Sequence, residues 1–300
     1  MQFEAGAVSP NFIICGAAKA GTTSLYQFLR NSPEIFMPRI KEPHFLVRKS
    51  ISGRVSTLIE SPEEYLGLFY GSDSYSWRGE ASVFYLYYHE EAINNIVELL
   101  GLDTKIIILL RNPIDRAYSA YLHAAKYNPQ ENLSFIEALQ SEEQRMQDPA
   151  CSPMLFYKAA GLYSRMVRAY LDVFPSVKVF FFDDLIQDST RFSHDLYEFL
   201  GVQMPDVRSF DEHQNVGGRE WSSKFLGGAV KMLGTRSVRR VARLAAPKVY
   251  ESFKASLARN MMRSVVPMDD SMRAYLEDFF HDDIISLSGL LGRDLTHWMS

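Results

Sequence analysis

The stretch IICGAAKAGTTSL, residues 13–25, constrains the fold of this 300-residue chain more than any other. Asn11–Cys15 reads as a buried strand, a loop of small residues follows, and a helix is expected from about Thr22 to Arg30. Small side chains let backbone N–H groups approach an anion, and a helix N-terminus adds partial positive charge. Gly16 and Gly21 have the spacing of a Walker A loop, but Thr22 stands where that loop carries its lysine. The loop's only lysine is Lys19. Such a loop suits a nucleotide whose terminal group differs from the β/γ-phosphates of a triphosphate. The bland alternative is a tight turn that binds nothing.

The rest of the chain alternates short apolar runs with helical segments, the pattern of a parallel sheet covered by helices. KIIILL, Lys105–Leu110, reads as a central strand buried on both faces, and Val177–Phe182 as another. Asn112 and Pro113 start a helix to about Lys126, and further helices are expected over Ser134–Met146, Gly161–Phe174 and Met268–Leu291. One from about Glu90 to Leu100 stops at Gly101, and one ending at Leu200 stops at Gly201. Ser61-Pro62-Glu63-Glu64 reads as a helix start in which Glu64 closes a capping box. The last third shows no clear strand. The expectation is one α/β domain over 1–300: a three-layer, P-loop-like fold with a central, mostly parallel sheet. Residues 11–200 form the nucleotide-binding core and 201–300 a helical or loop region completing the site.

Arg111 follows the central strand directly, at the edge where open α/β sheets bind ligands. Ser119 lies about two turns of 3.6 residues further on, so both side chains can converge on one anion. Asp115 and Arg116 read as surface or cap partners. Phe180–Asp184 has the look of a Walker B strand end with Asp183 as a magnesium ligand, although a capping acid is the commoner reason for that pattern. The aromatic run Phe84–Tyr88 reads equally as acceptor pocket or as packing.

Apolar residues at 47% and charged residues at 23% are ordinary for a globular protein. No apolar run approaches the length of about 18 residues that spans a bilayer. MQFEAGAVSPNF lacks the features of a signal peptide. Cys15 and Cys151 give no disulfide framework, and Cys15 reads as a buried thiol. A cytoplasmic protein is expected, with any membrane contact peripheral. The 7 histidines are scattered without metal-ligand spacing, so no metal is expected. The net charge of −4 and the lack of a recognisable module argue against nucleic acid. Lys224–Arg263 is strongly basic, with Glu251 as its lone acid. It reads as a solvated face or as a surface for an anionic glycan, an acidic carrier protein or a membrane.

AAKAGTTSL at 17–25, KEPHFL at 41–46, GEAS at 79–82 and LRNPIDRAYSAY at 110–121 together resemble the sulfotransferases that use 3′-phosphoadenosine 5′-phosphosulfate (PAPS). The resemblance is to the heparan-sulfate-type branch and its bacterial homologues, and LLGRDLTHW at 290–298 is similar to the ends of the bacterial proteins. The resemblance implies that Lys19, Ala20, Gly21, Thr22, Thr23 and Ser24 hold the 5′-phosphosulfate, and that Arg111 and Ser119 hold the 3′-phosphate. It implies Glu42 as catalytic base with His44 beside it, and Lys19 as the cation that meets charge on the leaving oxygen. Gly217, Gly218 and Arg219 would belong to a loop closing over the nucleotide. Transfer of a sulfuryl group to a hydroxyl is implied, on a glycan, a lipid, a small metabolite or a carrier-bound acyl chain.

An alcohol is a poor nucleophile near neutral pH, so a carboxylate at Glu42 suits the base, the more so if burial raises its pKa. Some relatives carry a lysine where this chain has Glu80-Ala81-Ser82, and a proline where it has Val83. The alternatives are a P-loop kinase or hydrolase using magnesium–ATP through Asp183, and a non-catalytic nucleotide-binding module.

Overall fold

Five short strands carry the fold: β1 (Phe12–Gly16), β2 (Ile35–Phe36), β3 (Trp77–Ala81), β4 (Lys105–Leu110) and β5 (Val177–Phe181). All neighbouring pairs are parallel, in the order β2-β3-β1-β4-β5. The computed structural model describes residues 8–204, 219–221, 262–264 and 267–299. Phe12–Cys15 and Ile106–Leu110 are fully buried, as strands covered on both faces must be. The sheet is flanked by helices, as the alternating pattern requires.

The helices of the described residues are α1 (Thr22–Arg30), α2 (Arg48–Ile51), α3 (Pro62–Gly67), α4 (Phe84–Tyr87), α5 (His89–Leu99), α6 (Pro113–Tyr127), α7 (Phe135–Gln140), α8 (Glu142–Gln147), α9 (Tyr163–Val173), α10 (Phe182–Gln187), α11 (Ser189–Leu200) and α12 (Asp270–Leu291). Asn112 caps α6 by accepting from the Ile114 N–H at 2.9 Å, with Pro113 at its first position. Gly201 ends α11 with φ 74°. Among the described residues, no helix is long and apolar enough to cross a membrane.

Because β1 lies between β3 and β4, the chain leaves β1 toward one edge of the sheet and later returns to its other side. The carboxyl ends of β1 and β4 therefore flank a topological switch point, where open α/β sheets bind their ligands. The C-terminal segment locks this edge. Trp298 is 1% exposed, its indole N–H donates to Asp183 at 2.7 Å, and Arg293 forks onto Asp184 at 2.6 Å. Both acids of the Walker B-like strand end are thus occupied by structural partners.

The chain divides into two compact units, Met1–Gln214 with Asp270–Ser300, and Asn215–Asp269. The second contains an antiparallel pair, β6 (Arg219–Trp221) and β7 (Met262–Ser264). This corrects the reading of the last third as strand-free, since strands of three residues are too short to show a periodicity. The Ser134–Met146 helix is two helices divided at Ser141. Glu142, 2% exposed, begins the second and accepts from the Lys158 and Ala159 N–H groups, both at 2.7 Å. At Ser61 the capping box is only half formed. The hydroxyl accepts from the Glu64 N–H, but it donates to Glu63.

Candidate functional site

The loop after β1 turns on left-handed residues. Gly21 has φ 97° and precedes α1, and a Cβ there would stand 3.0 Å from the Phe182 ring. Only glycine fits both demands. No side chain caps α1 and no acid lies in its first turn. The Ser24 and Leu25 N–H groups donate to the Gly21 carbonyl, and the Thr22 and Thr23 N–H groups precede these first helical bonds. Ala20 and Thr22 are buried, Ser24 is half-buried and Thr23 is exposed.

The loop meets the end of β4. The Ala17 N–H donates to the Leu109 carbonyl at 2.7 Å, and Arg111 Nη1 donates to the Lys19 carbonyl at 3.3 Å. The Arg111 guanidinium lies 5.0 Å from the centre of the Phe182 ring. The two expected anion contacts, Lys19 and Arg111, therefore share one site. Ser119 is half-buried on α6, two turns from Arg111. Gly217 and Gly218 lie outside the described residues. Arg219 opens β6, and its side chain is likewise outside them.

A second loop supplies Glu42 and His44. Among the described residues, Lys19 (φ 67°), Glu42 (φ 63°) and His44 (φ 55°) are the only non-glycine residues with positive φ. That conformation costs on the order of 1 kcal/mol each and persists only where the surroundings impose it. Here the imposing contacts are visible. The Glu42 N–H donates to the Ala81 carbonyl at 3.0 Å, the His44 N–H to Ser82 Oγ at 3.1 Å, and the Leu46 N–H to Tyr85 Oη at 3.2 Å. Ser82 in turn donates to Glu80, which is fully buried and also receives the Tyr65 hydroxyl at 3.3 Å. Burial pushes Glu80 up to about 7, against the pull of its hydrogen bonds from Ser82, Tyr85 and Tyr65.

Glu42 departs from expectation. Burial does push its carboxyl upward, but hydrogen bonding to His44 and the ammonium of Lys41 outweigh it and hold the group at about 2. The Lys41 Nζ touches Oε1, and His44 Nε2 stands 3.6 Å from Oε2. His44 Nδ1 is buried without a hydrogen-bond partner in the described structure. Lys19 is lowered by burial first and then by Arg111 and Lys41, with Glu42 opposing. Three cations and one carboxylate thus act on one another at the edge of the sheet, leaving an excess of positive charge for an anion.

Sequence reasoning missed three contributors. His123, one of the scattered histidines, has its pKa lowered by burial and then by Lys19, with Glu42 opposing, which puts it within electrostatic reach of this site. Its position one turn beyond Ser119 on α6 was the available signal. Lys41 was inside a recognised motif but unassigned. Arg116 is no surface residue: it is 1% exposed and donates to the Tyr157 carbonyl, with Nε unpartnered in the described structure. Asp115 does have a surface partner, Arg273 at 2.7 Å. Among the described residues, the potential metal ligands that gather are His194, Asp195 and Glu198 on α11, none of them in this site.

Residues 9–216 match the sequence profile described as "Sulfotransferase domain". The crystal structure of a sulfotransferase from Alicyclobacillus acidocaldarius superposes with a TM-score of 0.72 at 31% identity, covering 98% of this chain and 100% of that one. Human bifunctional heparan sulfate N-deacetylase/N-sulfotransferase 3 is 24% identical over 318 residues, 97% of this chain and 31% of that protein. Mouse carbohydrate sulfotransferase 15 is 23% identical over 245 residues, 64% of this chain and 44% of its own length. The chain thus spans only part of these longer proteins.

Proposed function

The chain belongs to the sulfotransferase domain family, and we propose that it takes its sulfuryl group from PAPS and passes it to an acceptor hydroxyl, with Glu42 as the base. The observation that carries this reading is the Arg111–Lys19 contact, which brings two anion-binding elements from distant parts of the sequence to one switch point. The uncapped N-terminus of α1, the Lys19 ammonium and the Arg111 guanidinium fit a ligand phosphorylated at two ends.

PAPS, when bound, supplies the activated sulfuryl group. In the reading proposed here, α1 and its loop hold the 5′-phosphosulfate, and Arg111 with Ser119 holds the 3′-phosphate. Lys19 places positive charge against the oxygen that leaves. Glu42 takes the acceptor's O–H proton as the new O–S bond forms and the bond from sulfur to the nucleotide's bridging oxygen breaks. His44 orients the Glu42 carboxylate. A group held at about 2 is a weak base, so Lys41 has a defined part. Drawn toward an arriving anion, it relieves part of that depression, and the hydrogen bond to His44 keeps the rest. Two buried free cysteines suit a reducing cytoplasm.

Calorimetry with adenosine 3′,5′-bisphosphate, 5′-AMP and magnesium–ATP tests the cofactor assignment. The bisphosphate is expected to bind at least tenfold more tightly than the other two, a difference of about 1.4 kcal/mol. Tighter binding of magnesium–ATP would overturn it.

A further inference from the structure

The aromatic run Phe84–Tyr88 divides in the fold. Phe84, Tyr85 and Leu86 are buried, whereas Tyr87 and Tyr88 are half-exposed. Phe84 stacks beside the His44 ring at 4.9 Å between centres. Phe84 and Tyr87 also line a small hollow of about 20 Å³ against Ala17 and Ala18 of the phosphate loop. Tyr87 has a second side. It lines a cavity of about 590 Å³, together with Tyr88, His89, Leu162 and Met166. Ala160 borders the hollow and its neighbour Ala159 the cavity. Tyr87 therefore borders both spaces, and two adjacent alanines border one each.

The cavity lies where α5 and α9 begin. Both helices run toward strands of the parallel sheet, so their N-termini are at its carboxyl edge, the edge that holds Lys19 and Arg111. Helix N-termini ordinarily attract anions. Here that capacity is already consumed. Asp283 accepts the Tyr163 N–H at 2.7 Å and the Ser164 N–H at 3.2 Å, at the start of α9. Glu90 and Glu91 occupy the first turn of α5. Glu91 accepts the Lys49 and Ser50 N–H groups, both at 3.0 Å. The one arginine of the lining, Arg165, is held by Glu90 at 2.6 Å. Burial lowers His89, which favours its neutral form.

We propose that this cavity is the acceptor site and that it takes an uncharged alcohol with an apolar or ring-shaped body. The cavity has the volume of a small-molecule site. Tyr87, Tyr88, Leu162 and Met166 offer aromatic and thioether surface to such a body. Its carboxylates, with their sole arginine already paired, repel a polyanionic chain. The inference rests on the sulfuryl-transfer reading and adds the acceptor class to it.

The test supplies PAPS and compares 2-naphthol, estradiol and decanol with a heparosan hexasaccharide as acceptors. Ala159→Trp and Leu162→Trp fill the cavity without touching the phosphate loop, and bisphosphate affinity in each variant reports that the fold and the nucleotide site survive. At least one neutral alcohol is expected to be sulfated with kcat/KM tenfold or more above the hexasaccharide. Either tryptophan is expected to raise that alcohol's KM at least tenfold, with bisphosphate affinity changed by less than twofold. The acceptor inference alone is overturned if the protein binds bisphosphate yet prefers the hexasaccharide, sulfates none of the three alcohols, or keeps its alcohol KM in both folded variants. Loss of bisphosphate binding in the unaltered protein would instead bring down the cofactor reading and this inference with it.

Discussion

The two sides of the site are built on opposite principles. The side made by α1, Lys19 and Arg111 leaves capacity unused: an uncapped helix start, and cations that repel one another. The side made by Glu42 and His44 is satisfied from within, His44 Nδ1 excepted. Its strained turn hangs on Ala81, Ser82 and Tyr85, and Glu80 gathers the hydrogen bonds beneath. An under-satisfied surface gains free energy when an anion arrives. A satisfied one gains little, but it holds a reacting group in place. In the proposed reading the difference separates binding from chemistry, and each side is open to a separate challenge.

The largest effect is expected on the satisfied side. Glu42→Gln removes the proposed proton acceptor but keeps the shape, so turnover should fall by about two orders of magnitude or more. Bisphosphate affinity should stay within a few-fold. Single-turnover kinetics beside calorimetry check both numbers. Near-normal turnover would show that another group takes the proton, and His123, which senses both Lys19 and Glu42, would be the next candidate.

On the under-satisfied side the pattern should reverse. Arg111→Ala removes a charged hydrogen-bond donor, which is worth roughly 10- to 100-fold in affinity for the bisphosphate. Affinity for 5′-AMP should barely move, because that ligand lacks the second phosphate. If both ligands weaken equally, Arg111 supports the loop through the Lys19 carbonyl and does not read the 3′ end.

The same division explains what was legible in the sequence. The phosphate loop is contiguous, so its small residues, its lysine and its helix start could be read together. Arg111 was legible because it follows a strand whose apolar run admits few other interpretations. The supports of Glu42 were hidden because they come from elsewhere: Ser82 reaches His44 across 38 residues, and Tyr85 reaches Leu46 across 39. No periodicity carries that information. The condition that burial raise the Glu42 pKa is not met, for a related reason. Burial was foreseeable, but Lys41 folding back onto its own neighbour was not. The short strands β2, β6 and β7 lie below the length at which alternation becomes a pattern.

The smallest expected effect probes whether the satisfied side is held by a neutral or a charged group. Glu80 is buried and raised to about 7, so the folded protein retains a proton there that the unfolded chain releases near its ordinary carboxylate value. Its contribution to stability is therefore complete below the ordinary range and is lost as pH rises through about 7. Glu80→Gln keeps an acceptor for Ser82 and cannot ionise. The Tm of the unaltered protein should fall relative to the variant across that window and run parallel to it at lower pH. Turnover in the variant should drop only a few-fold, since Ser82 still meets the His44 N–H. A Tm difference that stays constant from pH 4 to 8 would mean that Glu80 keeps one charge state throughout. The turn carrying Glu42 would then owe its shape to hydrogen-bond geometry alone, with no share from a titrating acid.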